Sequence, residues 1–132
     1  MIKSLDAVEV MTLFVADLAA ARTFYGKVFG REIVYSDAVC SVMKFGTLMV
    51  NLLQETEAPA LVAPLPVARP GSGARALLTI KVADTNAVCA ELAQHGVKLL
   101  NGPIDRPWGR RTAAFADPDG NVWEVAQEIA GG

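Results

Sequence analysis

Glu124 is the residue of this 132-residue chain whose surroundings most favour chemistry. It lies between Trp123 and Val125 in an apolar run. A carboxylate in such a run can pair with a cationic group of a ligand or act as a general base. The alternative interpretation is a solvated carboxylate on the face of a strand.

The segment Arg-Pro-Trp-Gly-Arg-Arg offers an aromatic ring and two cations to a ligand. Trp108 can stack on a planar or cationic ligand, or it can plug a loop. Arg110 and Arg111 begin a predicted strand, so alternation turns one of them inward, where it could bind an anion with two hydrogen bonds. The alternative is that these arginines pair with Asp105 or Asp117.

The remaining residue types that often do chemistry are assigned structural roles. His95, the one histidine of the sequence, falls in the last turn of a predicted helix and is expected to interact with its C-terminus. Cys40 and Cys89 have no base nearby in sequence and are expected to be buried thiols. The sequence contains no Gly-rich phosphate loop and no Cys-x-x-Cys pair.

A repeat organises the elements that must position these residues. Val15-Ala16-Asp17 recurs as Val82-Ala83-Asp84, each time after a strand-like run and at the start of a helical pattern. Aspartate is a good N-cap residue. Gly30 and Gly96 follow the predicted helices, at the position where a glycine in the left-handed conformation commonly ends a helix. The apolar stripes predicted for the two helices are Leu18, Ala21, Tyr25, Val28 and Phe29, and then Val88, Leu92 and Ala93. Phe24 is likewise assigned to helix packing.

Three strand-like runs complete each half, so the sequence predicts an α+β fold of two β-α-β-β-β modules. The modules are expected at residues 1–54 and 75–132, and the Pro-rich residues 55–74 form a linker without regular structure. Gly46 and the Asp-Pro-Asp-Gly segment 117–120 mark tight turns, and residues 101–109 are expected to form a longer loop. A ferredoxin-like sandwich is the alternative topology, but the repeat favours two curved mixed sheets around a shared cleft.

Strand alternation predicts which side chains line that cleft. The residues expected to pack under the helices are Met11, Leu13 and Val15, and then Leu78, Ile80 and Val82. Those expected on the cleft side are Val10, Thr12 and Phe14, and then Leu77, Thr79 and Lys81. A position at the solvated end of the sheet is the alternative for Lys81.

Charge and hydropathy exclude several classes of partner. The chain has 12 basic and 14 acidic residues, a net charge of −2, and like charges do not cluster. A nucleic acid or an anionic membrane therefore finds no basic patch. The N-terminal residues lack the apolar stretch of a secretory signal, so a cytoplasmic location is expected.

Two segments resemble the vicinal oxygen chelate superfamily, which includes glyoxalase I, bleomycin-resistance proteins, fosfomycin-resistance enzymes and extradiol dioxygenases. They are VADLAAARTFYGKVFG in the first half and WGRRTAAFADPDGNVWEVAQ in the second. The resemblance implies the fold and a cleft for a small ligand, but no single reaction.

The same resemblance implies a divalent metal held by one residue from the first and one from the last strand of each module. Those positions correspond to Val10, Leu77, Glu124 and Asn51, or to Val50 in place of Asn51 if the alignment shifts by one residue. Valine and leucine have no lone pair, and catalytic zinc usually has three protein ligands. We therefore expect no bound catalytic metal and no other cofactor.

The resulting hypothesis is a metal-free protein that sequesters a drug or metabolite. Similarity to the bleomycin-resistance branch implies a homodimer whose clefts are completed between subunits. The alternative is a lyase or isomerase that uses Glu124 as base, with or without a divalent metal. The residues expected to contact the ligand are Thr12, Phe14, Asn51, Thr79, Lys81, Trp108, Arg110 and Glu124.

Overall fold

A computed structural model describes residues 1–129, and the chain divides after Pro70 into two compact units. Each unit contains a four-stranded mixed sheet. No helix among residues 1–129 is long and apolar enough to span a membrane.

The first unit has a β-α-β-β-β order followed by a short helix. Its elements are β1 (Val10–Val15), α1 (Leu18–Val28), β2 (Ile33–Ser36), β3 (Cys40–Phe45), β4 (Leu48–Gln54) and α2 (Pro59–Val62). The sheet order is β1-β4-β3-β2, in which β1 and β4 are parallel and the other pairs antiparallel.

The second unit repeats this order. Its elements are β5 (Leu77–Lys81), α3 (Thr85–Gln94), β6 (Leu99–Arg106), β7 (Arg110–Ala116) and β8 (Val122–Glu128). The sheet order β5-β8-β7-β6, with β5 and β8 parallel, matches that of the first unit. The predicted α+β class and the duplicated module are therefore confirmed, and the ferredoxin-like alternative is not.

The helix ends follow the local chemistry of the repeat. Asp17 Oδ1 accepts a hydrogen bond of 3.1 Å from the N–H of Ala20, and Asp84 Oδ1 accepts one of 3.0 Å from the N–H of Ala87. Gly30 follows α1 with φ at +57°, a conformation that costs glycine little. Gly96 follows α3 in the same way, with φ at +74°, so the predicted caps of both helices are confirmed.

The buried faces of the helices agree only in part with the predicted stripes. In α1, Leu18, Ala21 and Tyr25 are buried as expected. In α3, Leu92 is buried but Ala93 is exposed, and Thr85 is buried instead. The threonine is accommodated because its hydroxyl donates to the Arg111 carbonyl at 2.8 Å.

The prediction of an unstructured segment at residues 55–74 is wrong for its first part. Glu55–Glu57 form a 3-10 turn and Pro59–Val62 form α2, with Ala58 fully buried between them. Proline at the first helical position already has the φ of a helix and has no N–H to leave unpaired. Residues 63–74 contain no helix or strand.

The predicted loop at residues 101–109 is also wrong for residues 101–106, since β6 continues to Arg106, and only residues 107–109 form a turn. The pairing of β6 with β7 shifts register around Asn101 and Ile104, which accommodates Pro103 within the strand. Gly102 has φ at +93°, and a Cβ there would lie 2.4 Å from the Thr112 carbonyl oxygen. Glycine is therefore required where the two backbones approach each other.

Candidate functional site

Two glutamines establish which positions of the two sheets are equivalent. Gln54 Oε1 accepts a hydrogen bond of 3.1 Å from the N–H of Leu18, at the start of α1. Gln127 Oε1 accepts one of 2.9 Å from the N–H of Thr85, at the start of α3. Counting back from each glutamine makes Asn51 the counterpart of Glu124 and excludes Val50.

Asn51 lies on the face of the first sheet that is opposite α1. Its register partner on β1 is Thr12, which is exposed, while Leu13 and Val15 are buried on the helix side. Phe14 shares the Asn51 face and is half-buried. The first unit therefore places Thr12, Phe14 and Asn51 on one face.

The Asn51 side chain has an unsatisfied acceptor. Its Oδ1 is buried and accepts no hydrogen bond from residues 1–129. Buried polar atoms in native proteins nearly always have a partner. The Asn51 amide oxygen is therefore an exception on this face, a buried acceptor without a donor among the described residues.

Glu124 occupies the corresponding face of the second sheet. It is half-buried, and its Oε1 accepts a hydrogen bond of 2.9 Å from the Thr79 hydroxyl, which lies opposite it in register. Within residues 1–129 it forms no ion pair. Leu77, which is 51% exposed, and Val122 lie on the same face. This face therefore combines an oriented carboxylate with accessible apolar surface.

Lys81 and Arg110 lie on the Glu124 face but share one carboxylate. The side-chain nitrogens of Lys81 and Arg110 are 3.6 and 3.5 Å from Glu128 Oε1. Arg111 points to the helix side, where its Nε lies 2.6 Å from Asp105 Oδ1. This hydrogen bond lowers the pKa of Asp105. Arg110 is therefore the arginine on the Glu124 face, and its charge is partly neutralised.

Arg106 is a residue of this face that sequence reasoning missed. Its Nε donates to Thr112 Oγ1 at 2.9 Å and its Nη2 to Asn101 Oδ1 at 3.3 Å. Both partners are neutral, and no carboxylate among residues 1–129 pairs with it. Thr112 and Glu124 are diagonal neighbours on β7 and β8, and such positions lie roughly 7–8 Å apart. Strand alternation places Arg106 on this face only once β6 is recognised as a strand, whereas Gly102 and Pro103 indicate a loop there.

Trp108 follows Arg106 in the turn between β6 and β7 and does not plug a loop. Its side chain is 66% exposed, and the Arg106 guanidinium lies 5.9 Å from the ring centroid. This distance is within the range of a cation–π interaction. The indole therefore supports Arg106 and presents a flat surface to solvent.

The comparison with family models decides the family. The model of the Glyoxalase/Bleomycin resistance protein/Dioxygenase superfamily matches residues 6–125. The chain belongs to this superfamily. The resemblance seen in the two sequence segments is thereby confirmed.

The similarity to known proteins covers nearly the whole chain. Virulence protein STM3117 of Salmonella typhimurium is 28% identical over 131 residues, covering 95% of this chain and 86% of the relative. A glyoxalase/bleomycin resistance protein/dioxygenase from Nocardioides superposes with a TM-score of 0.85 at 19% identity, covering 96% of this chain and 86% of that one. Lactoylglutathione lyase from Agrobacterium tumefaciens superposes with a TM-score of 0.73 at 25% identity, covering 92% of each chain.

The residues of this chain do not fit the divalent metal ion that the family resemblance implies. The first-strand positions are Val10 and Leu77, which have hydrocarbon side chains, and the last strands provide the amide of Asn51 and the carboxylate of Glu124. Hard cations need several oxygen ligands and catalytic zinc usually has three protein ligands. Among residues 1–129, no three His, Cys, Asp or Glu side chains are grouped as metal ligands.

The cysteines and the histidine lie outside the Glu124 face. Burial raises the pKa of both the Cys40 and Cys89 thiols, which are half-buried rather than fully buried. A raised pKa keeps a thiol protonated at neutral pH and hence a poor nucleophile. His95 is the C-cap residue of α3, as its position in the sequence predicts.

Proposed function

We propose that this superfamily member binds a small organic molecule on the Glu124 face of its second sheet, without a catalytic metal. The observation that carries the proposal is the Glu124 carboxylate itself. The Thr79 hydroxyl orients it at 2.9 Å, and no cation of residues 1–129 pairs with it. A half-buried carboxylate of this kind favours a ligand with an ammonium group or another strong donor.

Other residues of the second unit favour a ligand with further features. Leu77 and Trp108 offer accessible apolar and aromatic surface, which suits the body of a metabolite or drug. Arg106 offers a guanidinium held by neutral partners, which suits a carboxylate or another polar acceptor on the ligand. The favoured ligand is therefore a small amphipathic molecule with a donor at one end.

Catalysis is the second candidate function, because the Agrobacterium tumefaciens protein similar to this chain is a lactoylglutathione lyase. In that case Glu124 would accept a proton from the bound molecule. Turnover would be measured as loss of the ligand over time in the presence of the protein. Binding without turnover would support sequestration.

Replacing Glu124 by glutamine is expected to weaken binding and to leave the fold intact. A panel of small organic ammonium compounds and their neutral isosteres would be screened by thermal shift, since a ligand at about 100 times its Kd stabilises the native state by about 2.7 kcal/mol. Because a charge-assisted hydrogen bond is lost, Glu124→Gln should raise the Kd of the best compound by about 10- to 100-fold.

Glu128→Gln is the matched control, since Glu128 lies on the same strand and face but pairs with Lys81 and Arg110. It is expected to change the Kd by less than about threefold, because exposed ion pairs contribute little. Equal affinities for wild type and Glu124→Gln would contradict the proposal. So would equal losses in the two variants.

A further inference from the structure

A cavity lies in the first unit, on the helix side of its sheet. It has a volume of about 230 Å³ and lies between α1, β2 and β3. Its floor is formed by the buried side chains of Tyr25, Met43 and Leu52. Ile33, which is 51% exposed, and Arg31 lie at its mouth. The cavity is therefore lined by apolar side chains within and accessible from solvent.

Arg22 holds a fixed positive charge in the wall of this cavity. Its Nη2 donates to Ser36 Oγ at 2.9 Å, to the Cys40 carbonyl at 3.0 Å and to the Asp37 carbonyl. Its Nε is buried without a partner, and its Nη1 donates to none of residues 1–129. The guanidinium is thus immobilised through one nitrogen and has donors to spare.

The charge of Arg22 is not neutralised by the acid beside it. Asp37 Oδ1 accepts from the N–H groups of Val39 and Cys40, and its Oδ2 accepts from the Tyr35 hydroxyl. The hydrogen bond from Val39, followed by those from Tyr35 and Cys40, lowers the pKa of Asp37 to about 2. Asp37 forms no ion pair with Arg22 among the described contacts. The residues that line the cavity include Arg22 and Arg31 and no acid.

Gly26 leaves part of the cavity open. It lies in α1 beside Tyr25, where glycine is less favourable than alanine for the helix, and a Cβ there would meet nothing within 4 Å. The fold therefore does not require glycine at this position. Counting from the N-caps Asp17 and Asp84, the equivalents of Arg22 and Gly26 in the second unit are Cys89 and Ala93. The shared module accordingly folds without the arginine and the glycine.

We propose that this cavity binds a small organic carboxylate whose apolar body lies against Tyr25, Met43 and Leu52 and whose carboxylate accepts hydrogen bonds from Arg22. Arg31 adds a second positive charge at the mouth. The apolar floor favours a carboxylate with a hydrocarbon chain or ring over inorganic phosphate, because a hydrated anion alone leaves the floor without contacts. This site is on a different unit from Glu124 and does not depend on the function proposed above.

Hexanoate is the test probe, and hexan-1-ol of equal chain length is the neutral comparison. Each would be titrated into the ¹⁵N-labelled full chain, with amide chemical shifts as the measurement. Hexanoate is expected to shift the signals of Gly26 and Ser41 in a saturable manner and to bind at least about tenfold more tightly than hexan-1-ol, because a hydrogen bond to a charged group is lost with the alcohol. Inorganic phosphate should not compete.

Substitutions in α1 and beside it test the open space of the cavity and its charge separately. Gly26→Leu, which fills the cavity from an uncrowded position, should abolish hexanoate binding. Arg22→Gln should raise the Kd for hexanoate by about tenfold or more. If loss of the Arg22 contacts unfolds the protein, Arg31→Gln tests the charge instead, and it should also raise this Kd. Lys27→Gln removes a cation from the same helix that does not line the cavity, so it should leave the Kd unchanged.

Equal binding of hexanoate and hexan-1-ol would overturn the proposal, as would unchanged hexanoate binding in Gly26→Leu. Glu124→Gln is expected to bind hexanoate as wild type does. Chemical-shift changes centred on Glu124 instead of Gly26 would show that hexanoate binds to the Glu124 face of the second sheet. That result would also overturn this inference.

Discussion

Tyr25→Ala is expected to lower the free energy of unfolding by about 3–5 kcal/mol, the loss typical of a large side chain removed from a core. Tyr25 is 1% exposed. Its ring stacks on Phe29 with centroids 5.3 Å apart and meets the edge of Phe24 at 5.4 Å. The substitution removes the centre of this aromatic cluster and leaves a cavity between α1 and the sheet. Urea unfolding followed by circular dichroism would measure the loss.

Phe24→Ala is the matched control, because Phe24 is adjacent in sequence and also aromatic. Phe24 is half-buried, so its removal should cost about 1–2 kcal/mol. Equal losses for the two variants would contradict the orientation of α1 on its sheet. A loss below about 1 kcal/mol for Tyr25→Ala would do so as well.

Asp117→Ala is expected to cost about 2–4 kcal/mol, because it leaves three part-buried donors without their acceptor. Asp117 is 5% exposed, and its Oδ1 accepts hydrogen bonds of 2.9 Å from the N–H groups of both Asp119 and Asn121. Its Oδ2 accepts one of 2.9 Å from Asn121 Nδ2. These bonds hold the turn from β7 to β8, which also positions Glu124. The same unfolding measurement applies.

Asp117→Asn distinguishes the hydrogen bonds from the shape of the side chain. Asparagine retains one oxygen that can accept from the two backbone N–H groups, and it loses only the bond from Asn121 Nδ2. Its cost should therefore be less than half that of Asp117→Ala. An asparagine variant as unstable as the alanine variant would show that the two backbone bonds contribute little.

The fold could be predicted because its signals are local and occur twice. Aspartates before the helices accept backbone hydrogen bonds in both units, and the Asp-Pro-Asp-Gly turn begins at the end of β7. Such signals depend on neighbours within a few residues, so the sequence contains nearly all the information. The sheet faces of Thr12 and Thr79 were also predicted correctly, because strand alternation assigns the face of each residue once the strand itself is predicted correctly.

The sequence-based predictions that failed depend on contacts between residues far apart in the sequence. Gly102 and Pro103 are typical of a loop, and only the close approach of Gly102 to the Thr112 carbonyl explains a strand there. The same error concealed Arg106. Likewise, the sequence could not show that Arg110 shares Glu128 with Lys81, since that depends on side chains from three strands. The cleft between the halves, the homodimer and the cytoplasmic location stay predictions.

The most direct test of metal-free binding compares ligand affinity in chelator-treated protein with that in protein supplied with Zn²⁺, Ni²⁺, Fe²⁺ or Mn²⁺. The metal content per chain would be measured in parallel. Because Val10 and Leu77 provide no ligand atoms, we expect the best compound of the ammonium panel to bind chelator-treated protein with unchanged affinity. Binding that appears only with one equivalent of metal, and is lost together with that metal in Glu124→Gln, would contradict metal-free binding at Glu124.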